Sequence, residues 1–273
     1  MKILKLLLFI LFFIQISLSQ QNKSPYEWNW KKDGIWTGTA LAATGGGLLI
    51  ISNKESYTDL DLLRIRSQKN DINFLDKWAA GNYSKNANRI SDIPFAISFA
   101  APFALLLDGK TNKHSGQLFG IYFESLVTTS ALFTITAGLS NRARPYVYGT
   151  DAPLQQRKSV TATRSFYSGH VAASATATFF AAKVFQDFNP DSKAIPFVYA
   201  GAALLPATVG YFRLQAGQHF LTDVLLGYGL GAAVGYFTPE LHKKKNESFS
   251  FSPIMGQNIF GENYQAISFS YRF

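Results

Sequence analysis

The sequence predicts an all-α fold, a membrane-associated helical bundle of about six apolar helices, with a short C-terminal β-hairpin. Three observations predict it. Apolar segments recur at residues 35–52, 93–107, 116–138, 170–185, 194–212 and 219–237, broken only by Glu124, Lys183 and Asp223 among acids, lysines and arginines. Hydrophobic residues make up 47% of the chain, and there is no cysteine to staple a smaller core. After Lys243-Lys244-Lys245 the pattern changes to period two. Phe249 and Phe251 alternate with polar residues, then Ile267, Phe269, Tyr271 and Phe273 do the same, with Gly261-Glu262-Asn263 between them.

The elements follow in order. Residues 1–19 read as a signal peptide, with Lys2 and Lys5 as its charged start and an apolar run at 6–14. Ser17-Leu18-Ser19 offers small residues for cleavage before Gln20, and the alternative is an uncleaved anchor. Residues 20–91 form an N-terminal region: a lead-in with Tyr26, Trp28 and Trp30, a first apolar helix, and a polar loop. Gly45-Gly46-Gly47 weakens that helix, and the loop holds an amphipathic stretch at 60–65. Residues 92–240 form the helical core. Its first helix, 93–107, has Pro94 at the start and Pro102 inside. A polar loop spans 146–163. The last core helix carries Gly227, Gly231 and Gly235 in register, which lets another backbone pack close. Residues 241–273 are a basic segment and the hairpin.

Charge and hydropathy narrow the functional classes. The net charge of +9 and pI near 9.6 suit anionic substrates or an anionic membrane face. No nucleic-acid-binding module is present, so no nucleic-acid partner is expected. Mean hydropathy is only +0.03. Only residues 35–52 and 194–212 approach the roughly 20 apolar residues that a membrane span needs.

Four pieces of the core carry chemistry: Arg144-Pro145, then Ser168-Gly169-His170, then Arg213, then His219 with Asp223. The chain has four histidines, and two lie in this set. Arginine forks bind phosphate oxygens bidentately. One histidine can attack phosphorus and the other can protonate the leaving oxygen. His219 and Asp223 are i,i+4, so on a helix they share a face, and the carboxylate would fix the imidazole tautomer. Ser168-Gly169-His170 reads as a turn into a helix whose first amides form a phosphate nest.

The order resembles the three-part signature of the type 2 phosphatidic acid phosphatase and vanadium haloperoxidase superfamily: K-x6-R-P, then P-S-G-H, then S-R-x5-H-x3-D. The Arg213, His219 and Asp223 spacing matches in full. Tyr167 stands where the family has proline, Phe212 where it has serine, and Ala137 where it has lysine. The resemblance covers residues 116–237. It implies that His219 is the nucleophile that forms a phosphohistidine and that Asp223 orients it. His170 would be the general acid, then the base that activates water. Arg144, Arg213, Ser168 and the Gly169 amide would hold the phosphoryl oxygens, with Arg142 covering the missing lysine charge.

The reading is a metal-independent phosphatase with no cofactor and no metal ligands, since no histidines cluster beyond the two assigned. The expected partner is a phosphorylated lipid or a small phosphate ester, because apolar helices flank every motif. The expected place is the bacterial cell envelope, membrane-associated, with the site facing the periplasm. Alternatives are a soluble periplasmic acid phosphatase, a vanadate-dependent haloperoxidase and a non-catalytic envelope protein.

Overall fold

Asn29 starts the bundle by accepting the Lys31 and Lys32 N–H groups on its side-chain oxygen. The protein is described by a computed structural model that covers residues 24–244, 249–257 and 263–271. The expected signal peptide, Gly261, Glu262 and Phe273 lie outside these residues. Helix α1 runs Trp30–Ser52, and its three glycines do not interrupt it. Gly47 lies against the backbone of α5 (Ser115–Leu139), where a Cβ would meet Thr134 Oγ1 at 2.4 Å and Ile135 N at 2.6 Å. Tertiary packing overrides local propensity there.

Helix α2 (Asp59–Ser67) is the amphipathic stretch, closed by a reciprocal cap between Thr58 and Asp61. Helix α3 spans Lys85–Ala104, well ahead of the expected start at residue 93, and holds both Pro94 and Pro102 inside. Its polar first turns are ordered because Ser84 Oγ accepts the Ala87 N–H. Short α4 (Gly109–Asn112) precedes α5, and short α6 (Leu154–Lys158) lies in the loop after the first motif. Helices α7 (Gly169–Phe188), α8 (Ile195–Gln215) and α9 (Leu221–Leu241) complete the bundle.

Contacts at the helix ends fix their directions. Lys54, beyond α1, donates to the carbonyls of Ala137 (3.0 Å) and Ser140 at the end of α5. Arg213, near the end of α8, donates to Asn88 at the start of α3 (2.8 Å). The Ser168 N–H, at the start of α7, donates to the Asp223 carbonyl at the start of α9 (3.1 Å). Ser140 Oγ in turn donates to the Phe166 carbonyl (3.2 Å). The long helices therefore alternate in direction, and every sequence motif comes to one end of the bundle.

The glycine register on α9 is used for close approach. A Cβ at Gly227, Gly231 or Gly235 would meet the carbonyl oxygens of Ser168, Ala172 and Thr176 at 2.5, 2.1 and 2.4 Å. Helix α9 thus lies directly on the backbone of α7, which positions the second and third motifs against each other. Beneath them Val171, Val209, Leu214 and Val224 form a buried cluster.

Among the described residues, four helices are long and apolar enough to cross a membrane: Trp30–Ser52, Lys85–Leu107, Ser115–Leu139 and Ile195–Gln215. Only 11% of the apolar window of α1 is buried, which leaves Trp36, Leu41, Leu48 and Leu49 facing outward. An exposed apolar face of this extent is compatible with membrane association.

The chain divides into two compact units, Met1–His242 and Lys243–Phe273. The second unit is the expected hairpin: β1 (Phe249–Gln257) and β2 (Asn263–Tyr271) pair antiparallel, with Phe249 opposite Tyr271 and Phe251 opposite Phe269.

Candidate active site

Arg144 is held by its backbone. Its N–H donates to the Ala162 carbonyl (2.9 Å), and Pro145 opens a 3-10 turn over Pro145–Tyr148. That turn is tied on two sides, by the Tyr146 N–H to the Gly217 carbonyl (3.2 Å) and by the Gly81 N–H to the Pro145 carbonyl (2.8 Å). The Arg144 guanidinium donates through Nη1 to Gln218 Oε1, while its Nε is buried without a partner. Arg213 is anchored by Asn88 and, at 3.5 Å, by Ser91 Oγ. Its Nε is also buried and unpartnered.

Ser168 caps α7 and is fully buried, yet its Oγ has no partner. Gly169 has no room for a side chain, because a Cβ would meet the Phe133 ring at 2.8 Å. The first amides of α7 lack intrahelical acceptors and carry the positive end of the helix dipole. Buried donors without partners are rare in native proteins. Three of them, Ser168 Oγ, Arg144 Nε and Arg213 Nε, belong to the motif residues.

His219 lies before α9 and not on it. The chain leaves α8 through Gly217 at φ +67°, where a Cβ would meet the Asn82 carbonyl oxygen at 1.7 Å, and then turns His219 inward. His219 is buried, with Nδ1 2.6 Å from the Ser165 carbonyl oxygen. A carbonyl only accepts, so Nδ1 carries the proton and Nε2 keeps its lone pair.

Asp223 has partners other than the expected His219 ring. Its Oδ2 accepts the Phe220 N–H (2.9 Å), as an acid at the third helical position does in a capping box, and the Ser165 hydroxyl (2.6 Å). The i,i+4 argument needed both residues on one helix, and His219 precedes it. Asp223 fixes Ser165, and the Ser165 carbonyl fixes His219.

Arg142 is engaged by two carboxylates. It donates to Asp223 Oδ1, to Thr222 Oγ1 (3.0 Å) and to Asp76 Oδ2 (2.6 Å), and it lies over the Phe220 ring. Asp76 also accepts the Thr222 N–H (3.0 Å) and hydroxyl (2.6 Å). Burial opposes ionisation of Asp76, but these hydrogen bonds prevail and hold its carboxyl below the usual range. Burial pushes the Asp223 carboxyl up, against Arg142 and the bonds from Ser165 and Phe220.

His170, the second residue of α7, packs on Phe95 at 4.5 Å between ring centroids. Burial, then the charges of Arg213 and Arg144, lower its pKa to about 3. Burial, then Arg144 and Arg213, hold His219 well below the ordinary imidazole value. Burial lowers Arg144 itself to about 10. The same two guanidinium groups act on both rings, so Arg144, Arg213, His170 and His219 lie within electrostatic reach of one another.

Sequence reasoning missed the supports: Asp76, Asn88, Ser91, Ser165, Gln218 and Thr222. Gln218 and Thr222 flank His219 and Asp223 and could have been suspected. Asp76 and Asn88 come from a polar stretch whose composition reads as a solvated loop.

A family model described as the PAP2 superfamily matches residues 118–247, which include all the motif residues from Arg142 to Asp223. Comparison with curated proteins and with solved structures gave no match. Over residues 118–247, which hold every motif residue, the chain is thus similar to the PAP2 superfamily.

Proposed function

We propose that the protein is a metal-independent phosphatase that hydrolyses a lipid phosphate or pyrophosphate through a phosphohistidine. PAP2 superfamily members are phosphatases generally. The observation that carries the finer reading is the set of unpartnered buried donors, Ser168 Oγ, Arg144 Nε and Arg213 Nε, beside two histidines. Phosphoryl oxygens would complete all three. The two arginines supply the positive charge that stabilises a phosphoryl transition state.

In this reading the His219 Nε2 lone pair attacks phosphorus and forms the P–N bond. The P–O bond to the leaving group breaks, and His170 gives its proton to that oxygen. His170 then takes a proton from water, the hydroxide attacks phosphorus, and the P–N bond breaks to return His219. Brief exposure to labelled substrate followed by an alkaline quench should trap acid-labile label on the protein. His219→Ala should carry none, and label persisting in that variant would remove His219 as the nucleophile.

The lipid substrate class rests on the outward apolar faces around a buried anion site. A lipid phosphate in mixed micelles should therefore give a higher kcat/KM than a soluble monoester with the same leaving group. Equal values would favour the soluble substrate.

The proton on His170 needs a source. With its pKa near 3 in the free site, the ring is neutral at neutral pH. A bound dianion cancels the repulsion from Arg213 and Arg144 and raises that pKa, so binding takes up a proton. Affinity should then be highest at low pH and fall as pH rises through the raised value. Sulfate, whose own charge is constant across this range, should show proton uptake by calorimetry in buffers of different ionisation heat. His170→Gln should abolish the uptake, and uptake unchanged in that variant would assign the proton elsewhere.

A further inference from the structure

The end of the bundle opposite the motifs carries three groups that the proposed reaction does not use. Asp33 lies in the first turn of α1, Glu124 within α5, and His242 just beyond α9. All are buried, at 4, 5 and 5% exposure. His242 Nε2 stands 3.4 Å from Asp33 Oδ2 and 3.6 Å from Glu124 Oε2. His242 Nδ1 is 2.8 Å from the Thr238 carbonyl oxygen, so Nδ1 carries the proton. A neutral ring would then turn its Nε2 lone pair toward two carboxylates. Neither Nε2 nor Glu124 Oε2 has a hydrogen-bond partner.

We propose that Asp33, Glu124 and His242 form a tetrahedral site for a divalent cation of the zinc class, holding α1, α5 and the end of α9 together. Geometry supports it. Metal bonds of about 2.0–2.2 Å at the tetrahedral angle place neighbouring ligand atoms about 3.3–3.6 Å apart, and the two separations from Nε2 have this size. A direct charged hydrogen bond would be shorter, at about 2.7–2.9 Å.

Charge supports it too. Two carboxylates, a neutral ring and a dication sum to zero. Two carboxylates and a protonated ring leave one negative charge buried, which is costly. The bond from Nδ1 to a backbone carbonyl is the outer contact that orients a metal-bound histidine. Trp28 stacks on the His242 ring at 5.7 Å with 15° between the planes. A cleft of about 530 Å³ beside Lys32, Trp36 and Phe237 reaches the three groups and leaves room for a water as fourth ligand. Helix α9 separates this cluster from Asp223 by about 30 Å of helix, so the role is structural.

The test uses the full-length protein in detergent, stripped with chelator and titrated with Co²⁺. One tetrahedral Co²⁺ per chain should appear as intense visible absorption, and Zn²⁺ should bleach it. Glu124→Gln and His242→Gln, checked for folding by circular dichroism, should weaken binding by more than the roughly 10–100-fold that an outer-shell change costs. Zn²⁺ should raise the melting temperature of the parent and of neither variant. A stripped parent that takes up no Co²⁺, or uptake undiminished in both variants, would make the cluster an ion pair around a protonated His242.

Discussion

His170→Ala is expected to cost about 10²–10⁴-fold in kcat on an alkyl phosphate, and far less on a nitrophenyl phosphate. The difference follows from the leaving oxygen. An alkoxide must be protonated as the P–O bond breaks, whereas nitrophenolate departs unassisted. His170 occupies the second position of α7, beside the helix start that would hold the phosphoryl oxygens, and both arginines act on its ring. The measurement is the slope of log kcat against leaving-group pKa for parent and variant. A steeper negative slope in the variant is expected. Parallel lines would take the acid role away from His170.

The sequence carried the ingredients of this site but not its wiring. Arg144, Ser168, Gly169, His170, Arg213 and His219 converge because α5, α7, α8 and α9 alternate in direction, and apolar length plus loop placement already imply that alternation. The glycine register also spoke correctly, since three glycines spaced by four on α9 seat it on the α7 backbone. What could not be read was the identity of partners across long separations. The missing motif lysine is one case. Ala137 is fully buried, and Lys54, just beyond the end of α1, brings its ammonium to the Ala137 carbonyl. No spacing rule pairs residues so distant. The start of α3 is another. Its first turns are polar because Asn88 and Ser91 hold Arg213, so hydropathy placed the helix start too late. The same holds for the far end, where Asp33 on α1, Glu124 on α5 and His242 just beyond α9 form no motif.

Arg142 is where the wiring changes the expected phenotype. As a phosphate ligand, its loss would weaken anion binding and leave the fold alone. Its actual partners are Asp76 and Asp223, two carboxylates with side chains at 0% exposure. Arg142→Ala would leave both buried without a cation. Breaking a buried pair from one side costs about 3–5 kcal/mol. The Arg142 side chain is 27% exposed, so water screens part of the pair and the lower end of that range is expected. Arg142→Lys should recover little, because a single ammonium cannot reach both carboxylates as the planar fork does. The folded fraction should also lose turnover, since Asp223 holds Ser165 and the Ser165 carbonyl fixes the His219 tautomer. Denaturant unfolding, sulfate affinity and kcat separate the readings. Lower stability and kcat with sulfate affinity kept would fit the clamp, and adding Ala137→Lys should not restore stability. Unchanged stability with weakened sulfate binding would return Arg142 to the phosphate pocket, and the clamp on Asp223 would then be dispensable.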